Sequence, residues 1–122
     1  MEKASRKPIL FACAGCSDAG RAAYDLAQEL TRRGVAEMSC LAGVAAEKST
    51  FLRKLEDREV WLVDGCPIHC GAGVFERIER KIDRHIRLLE FGIKKGRTPA
   101  EGIDIQKLAD EVLQSFEMSV LH

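Results

Sequence analysis

The run Glu59-Val60-Trp61-Leu62-Val63-Asp64-Gly65-Cys66 decides how this chain is read. Four consecutive apolar residues stand between acidic ends, and glycine and cysteine follow directly. Such a run is a short strand buried on both faces that stops at a turn. A second run of the same kind lies upstream, in Pro8-Ile9-Leu10-Phe11-Ala12-Cys13, and Gly15 closes it. Continuous apolar strands, rather than alternating ones, belong to a parallel sheet covered by helices above and below.

Working outward, the segments between and beyond these strands supply the helices. Ser17 or Asp18 can cap a helix with apolar positions at Ala22, Ala23, Leu26, Ala27 and Leu30. Arg32, Arg33 and Gly34 give it a basic last turn and a glycine stop. A short second strand is expected within Val35 to Val44, ending near Cys40. A helix is expected over Ala45 to Asp57, from the spacing of Phe51, Leu52 and Leu55. Beyond the Trp61 strand, Gly73 to Asp83 reads as a helix with Val74, Ile78 and Ile82 on one face. Ile86 to Ile93 reads as a fourth strand, and Gly96 to Gly102 as a loop. Ile105, Leu108, Val112, Leu113 and Phe116 mark an amphipathic last helix.

Strands alternating with helices predict an α/β fold of the three-layer, doubly wound class: a mostly parallel four-stranded sheet with helices on both faces. The simplest order places strand 1 between strands 2 and 3, with strand 4 beyond strand 3. Ligands of such sheets bind outside the carboxyl ends of the strands where the order reverses. The 122 residues form one domain, 1–122, since the length allows one real core and not two.

Composition removes several function classes. Lysine plus arginine equals aspartate plus glutamate at 19 each, so no net charge favours nucleic acid or an anionic membrane. No apolar run reaches the roughly 20 residues of a membrane span. The apolar stretch Pro8 to Gly15 is too short for a signal peptide and is broken by two cysteines, so a cytoplasmic location is expected. In a reducing compartment, spaced cysteines are metal ligands or redox groups more often than disulfides. No Gly-x-Gly-x-x-Gly or phosphate-loop lysine follows strand 1, so a nucleotide cofactor is not indicated.

The five cysteines fall at the ends of strands. Cys13 and Cys16 stand in Cys-Ala-Gly-Cys after strand 1, and Cys40 stands at the end of strand 2. Cys66 and Cys70 stand in Cys-Pro-Ile-His-Cys after strand 3. Adjacent strands are about 4.8 Å apart, so thiols from three of them can reach one point. Cys-x2-Cys and Cys-x3-Cys pairs are ordinary halves of a tetrahedral zinc site, and zinc is the expected cofactor. Any of the cysteines could instead be a small buried hydrophobe, Cys40 most of all. His69 reads as a hydrogen-bonding neighbour of the site rather than a ligand. His85 and His122 lie outside the cluster, Trp61 and Phe51 read as core, and Asp64 reads as a strand-end or loop-capping residue.

These motifs resemble those of the DGC-domain family, described as binding zinc through shared cysteines. The resemblance is carried by Leu-Val-Asp64-Gly65-Cys66-Pro67-x-x-Cys70, with Cys13-x-Gly15 before it and Met38-Ser39-Cys40-Leu41-Ala42-Gly43 between. It runs from about Ile9 to the Gly92-Ile93-Lys94-Lys95 segment. It implies the ligand set Cys13, Cys40, Cys66 and Cys70, leaving Cys16 as a fifth thiol.

Three functions compete on these residues. The first is a structural or regulatory zinc module. The second is a thiol-disulfide or sulfur-transfer enzyme using Cys13 and Cys16, since Cys-x-x-Cys before a helix lowers a thiol pKa, although Asp18 opposes that lowering. The third is a cysteine phosphatase or arsenate reductase. That chemistry needs a Cys-x5-Arg loop to cradle an oxyanion, and seven residues separate Cys13 from Arg21 while four separate Cys16 from it. No motif assigns a reaction.

Overall fold

A computed structural model of the chain describes residues 6–13, 18–65, 70–93 and 102–121, with side chains through residue 117 in the last helix. The elements are β1 (Ile9–Cys13), α1 (Asp18–Arg32), β2 (Glu37–Met38), α2 (Leu41–Ala45), α3 (Ser49–Arg53), β3 (Val60–Asp64), α4 (Cys70–Arg77), β4 (Arg84–Arg87), a 3-10 turn over Leu88–Phe91, and α5 (Ile105–Leu121). All three strand pairings are parallel, and the order is β2-β1-β3-β4, as the sequence predicts.

Two apolar clusters sit on opposite faces of this sheet, and strand alternation sorts residues between them. Leu10, Ala12, Trp61, Val63 and Ile86 face α1 and α5. Ile9, Phe11, Val60 and Leu62 face the other way, against Val44 of α2, Leu55, and Phe75 of α4. The period of two along each strand therefore produces three layers. On the second face the rings of Phe11 and Phe75 are tilted against each other at 5.2 Å. Phe75 is fully buried, a core position that the expected stripe of Val74, Ile78 and Ile82 did not contain.

Helix α1 matches its pattern. Ala22, Ala23, Leu26, Ala27 and Leu30 are all buried. Gly34 stops it at φ +78°, and the amides of Gly34 and Val35 return to the carbonyls of Thr31 and Leu30. This is the double hydrogen bond of a glycine-terminated helix.

Four expected spans differ from the structure. Of Val35 to Val44, only Glu37 and Met38 pair with β1. Cys40 then caps α2, whose turn seats Val44 in the second cluster. The helix expected over Ala45 to Asp57 is reduced to α3, since Glu47 and Asp57 adopt left-handed φ of 55° and 59°. Helix α4 starts three residues before Gly73 and ends before Ile82, closed by left-handed Glu79 and the Arg80 amide on the Phe75 carbonyl. The fourth strand is Arg84–Arg87 rather than Ile86–Ile93; the chain coils after it so that Leu88 and Ile93 both enter the first cluster. The expected loop of residues 96–102 lies outside the described residues except for Gly102.

Arg58 pins the amino ends of the strands. It is almost fully buried, and its guanidinium donates to the Lys7 carbonyl at 2.8 and 3.0 Å and to Glu37 Oε1 at 2.8 Å. That hydrogen bond holds the Glu37 carboxyl below the ordinary range.

Candidate functional site

The reversal in strand order lies between β1 and β3, so the carboxyl ends of these two strands flank the position where ligands of such sheets bind. Cys13 ends β1, Asp64 ends β3, and the two are register partners; Arg87 of β4 is next in the row. Alternation puts Cys13 on the same face as Phe11, and Asp64 on the same face as Leu62. That face is covered by α4.

Helix α4 meets this edge at its first turn. A Cβ added at Gly71 would stand 3.2 Å from the Cβ of Cys13 and 3.0 Å from Leu62 Cδ1. Only glycine allows so close an approach, and it brings Cys70, the first residue of α4, to the end of β1. Cys70 is exposed.

Cys40 reaches the same edge from the other side. It is exposed rather than buried in a strand, so it is not the core hydrophobe its apolar neighbours suggest. Its Sγ accepts a hydrogen bond from the Gly43 amide at 3.3 Å. Cys13 and Cys40 line one cleft of about 490 Å³ together with Tyr24, Met38 and Ser39. A larger hollow of about 560 Å³, around Leu52, Leu55, Arg77 and Arg80, shares no residue with this cleft and contains no cysteine.

Asp64 is 1% exposed. Its Oδ2 lies 3.2 Å from Nε2 of His85, which in the tautomer protonated at that nitrogen donates to it. His85 pairs with Leu62 in the β3–β4 register, one step before the strand end. The sequence placed His85 outside the cluster; the structure sets it against the residue that precedes Gly65 and Cys66. No spacing signal links residues 64 and 85, because the contact depends on the register of β4.

Gly65 has its own reason for being glycine. A Cβ there would stand 2.3 Å from the carbonyl oxygen of Ala19 in α1. The chain leaving β3 thus runs directly against the backbone of the first turn of α1.

This surrounds the Asp64-Gly65-Cys66 tripeptide with a physical context: a buried carboxylate, a glycine required by backbone contact, and a cysteine beyond. The DGC-domain family model matches residues 9–112. The chain belongs to the DGC-domain family. Among curated proteins, the anaerobic and virulence modulator AnvM of Pseudomonas aeruginosa is 42% identical over 89 residues, covering 72% of this chain and 68% of that protein. No solved structure matches.

For a DGC domain the question is which donors could hold a metal. Cys13, Cys40 and Cys70 come to one edge, and thiolates are the donors zinc prefers in structural sites. Cys16, Cys66 and His69 lie outside the described residues, and so does His122. Among the described residues, no three His, Cys, Asp or Glu side chains are close enough together to hold a metal ion. Thiolate donors suit zinc chemically, and the described thiols do not by themselves form a metal site. No helix among the described residues is long and apolar enough to cross a membrane.

Proposed function

We propose that this DGC domain binds zinc through cysteine thiolates at the carboxyl edge of its sheet, in a structural or regulatory role in the cytoplasm. The ligands are drawn from Cys13, Cys40, Cys66 and Cys70, with Cys16 as the additional thiol. One observation carries the reading: Cys13 shares a cleft with Cys40 and lies against the helix turn that begins at Cys70. Thiols from three separated chain segments do not gather at one edge through the packing needs of a core, since two of these three are exposed.

Zinc in such a site supplies a divalent charge that neutralises neighbouring thiolates and cross-links the segments carrying them. This chain's part is to orient the sulfurs. The Gly43 amide holds Cys40, and the contact of α4 with the end of β1 holds Cys13 and Cys70. The word modulator in the name of the Pseudomonas relative supports a regulatory role over a catalytic one.

Elemental analysis of protein purified without added metal tests the reading. The expected result is one zinc per chain, lost in Cys13→Ser, Cys40→Ser, Cys66→Ser and Cys70→Ser and kept in Cys16→Ser. Metal-free wild type with a reversible disulfide between Cys13 and Cys16 would replace this reading with thiol redox chemistry. Full zinc retention by all five variants would remove the cysteine site.

A further inference from the structure

The hollow of about 560 Å³ lies between the turn after α3 and the end of α4, apart from the cysteine cleft. Its floor is apolar. Leu55 belongs to the second core cluster, and Leu52 and Ile78 pack against that cluster while remaining half-buried. The core therefore opens to solvent here on three aliphatic side chains.

The rim is acidic. Glu47, Glu56, Asp57 and Glu79, all exposed, come to it from three separate chain segments. Among the described residues, none of these four carboxylates is in an ion pair. The cations around them are largely occupied. Arg80 donates to the carbonyls of Arg58, Lys81 and Leu55 at 2.7, 2.9 and 3.2 Å and lies 4.0 Å from Asp83. Arg53 donates to the Ser49 carbonyl, and Lys54 sits over the Phe51 ring. Arg77 alone lines the hollow as a guanidinium without such ties. Backbone strain falls at the same place. Glu47, Asp57 and Glu79 are the three non-glycine residues with left-handed φ among the described residues, and all three line this hollow. Glycine would make these turns at less cost, so the turns by themselves do not account for carboxylates there. Strained residues of this kind gather where a ligand is held.

We propose that this hollow docks a basic, leucine-bearing segment of a partner protein. Its apolar side chains enter on Leu52, Leu55 and Ile78, and its flanking lysines or arginines meet the four carboxylates. Charge complementarity selects this occupant. A small amine reaches one or two carboxylates, whereas a segment with several cations spans a rim built from three parts of the chain. A second copy related by a two-fold axis through the hollow would set the acidic rim against itself. The proposal is independent of the zinc reading, since the hollow shares no residue with the cysteine cleft.

Fluorescence anisotropy with a labelled Lys-Leu-Lys-Lys-Leu-Lys peptide on the full chain tests it, with amide chemical shifts to locate the contact. The expected result is saturable binding with shifts confined to residues 47–57 and 77–80. A Glu56→Gln, Asp57→Asn, Glu79→Gln triple variant is expected to bind about tenfold more weakly. Asparagine tolerates the left-handed backbone at residue 57, so that change spares the turn. A charge-matched Glu90→Gln, Glu111→Gln, Glu117→Gln variant is expected to bind as wild type does. Equal loss in both variants, or shifts elsewhere, overturns the proposal as general attraction between charges. Equal binding of a peptide with serine in place of both leucines overturns it too, because the apolar floor then contributes nothing. So does full displacement by 1,6-diaminohexane at the peptide's own affinity, which makes the site one for small amines. A dimer that the peptide dissociates assigns the hollow to a second copy instead, and no binding at millimolar peptide removes the site.

Discussion

Gly71 of α4 packs directly against Cys13 at the end of β1, leaving no room for a side chain between them. A Cβ at Gly71 would meet the Cys13 Cβ at 3.2 Å and Leu62 Cδ1 at 3.0 Å, whereas one at Gly73, two residues on in the same helix, would meet nothing within 4 Å. The two positions therefore separate helix propensity from packing. Alanine gains about 1 kcal/mol over glycine in a helix interior. Overpacking against strand residues that cannot retreat costs about 1–3 kcal/mol. Gly73→Ala is expected to raise the urea midpoint and Gly71→Ala to lower it, with zinc content reduced only in the latter. Equal midpoints would mean that α4 slides freely on the sheet.

Gly65→Ala is expected to be the most damaging single-methyl change in the domain. Its Cβ would stand 2.3 Å from the Ala19 oxygen and 2.6 Å from the Ala19 carbonyl carbon, both backbone atoms of a helix buried against β1 and β3. No rotamer relieves that contact, so strand or helix must move. The expected loss is about 3 kcal/mol or more, read as a lowered melting temperature. A melting temperature equal to wild type would show that the β3–α1 contact is loose.

A polar clasp joins α1 to α5 and should respond to acid. Arg33 donates to Glu29 Oε2 at 2.9 Å, Asp110 Oδ1 at 2.8 Å and Gln106 Oε1 at 2.8 Å. The hydrogen bond from Arg33 holds the Glu29 carboxyl below its ordinary value of 4.5, against the opposing effect of burial. A carboxylate with a depressed folded pKa contributes stability in full above its unfolded pKa and loses it as pH falls through the folded value. Glu29→Gln is therefore expected to be less stable than wild type near pH 7, with the difference shrinking below pH 4.5 and vanishing in stronger acid. A difference that is constant across that range would show that the charge of Glu29 contributes nothing.

Asp83 receives the first amide of β3, Val60 N to Oδ2 at 2.8 Å, and Val60 is fully buried. Asp83→Ala leaves that N–H without an acceptor at a site closed to water. The expected cost is about 1–3 kcal/mol in urea unfolding, with faster amide exchange at Val60. Asp83→Asn keeps an acceptor and should lose less. Unchanged exchange in Asp83→Ala would mean that water or a backbone carbonyl takes the bond.

Helix ends were the hardest features to see in advance. The stops of α2 and α4, and the turn before β3, use Glu47, Glu79 and Asp57 at φ of 55°, 57° and 59°. Left-handed backbone normally selects glycine or asparagine, so acidic residues there carry no stop signal, and the helical readings ran through Glu47 and Glu79. Gly34, by contrast, marked the end of α1 correctly. The site divides in the same way. Cys13 at the end of β1 was legible, because the end of an unbroken apolar run is a local pattern. The exposure of Cys40 was not, because it depends on a two-residue edge strand giving way to a helix turn.

By itself, the amino-acid sequence determined the parallel sheet, the order of its strands and the family. The sheet and its order follow from local periodicity plus the handedness of crossover connections, and the family from the Asp64-Gly65-Cys66 motif and its companions. Only the tertiary structure decided that Gly71 lies on Cys13, that Gly65 lies on Ala19, and that His85 reaches Asp64 while one oxygen of that buried carboxylate stays open. Those contacts join residues 21 to 58 positions apart. They are settled by strand register and by how closely helices seat on the sheet, and neither is written in any single stretch of chain.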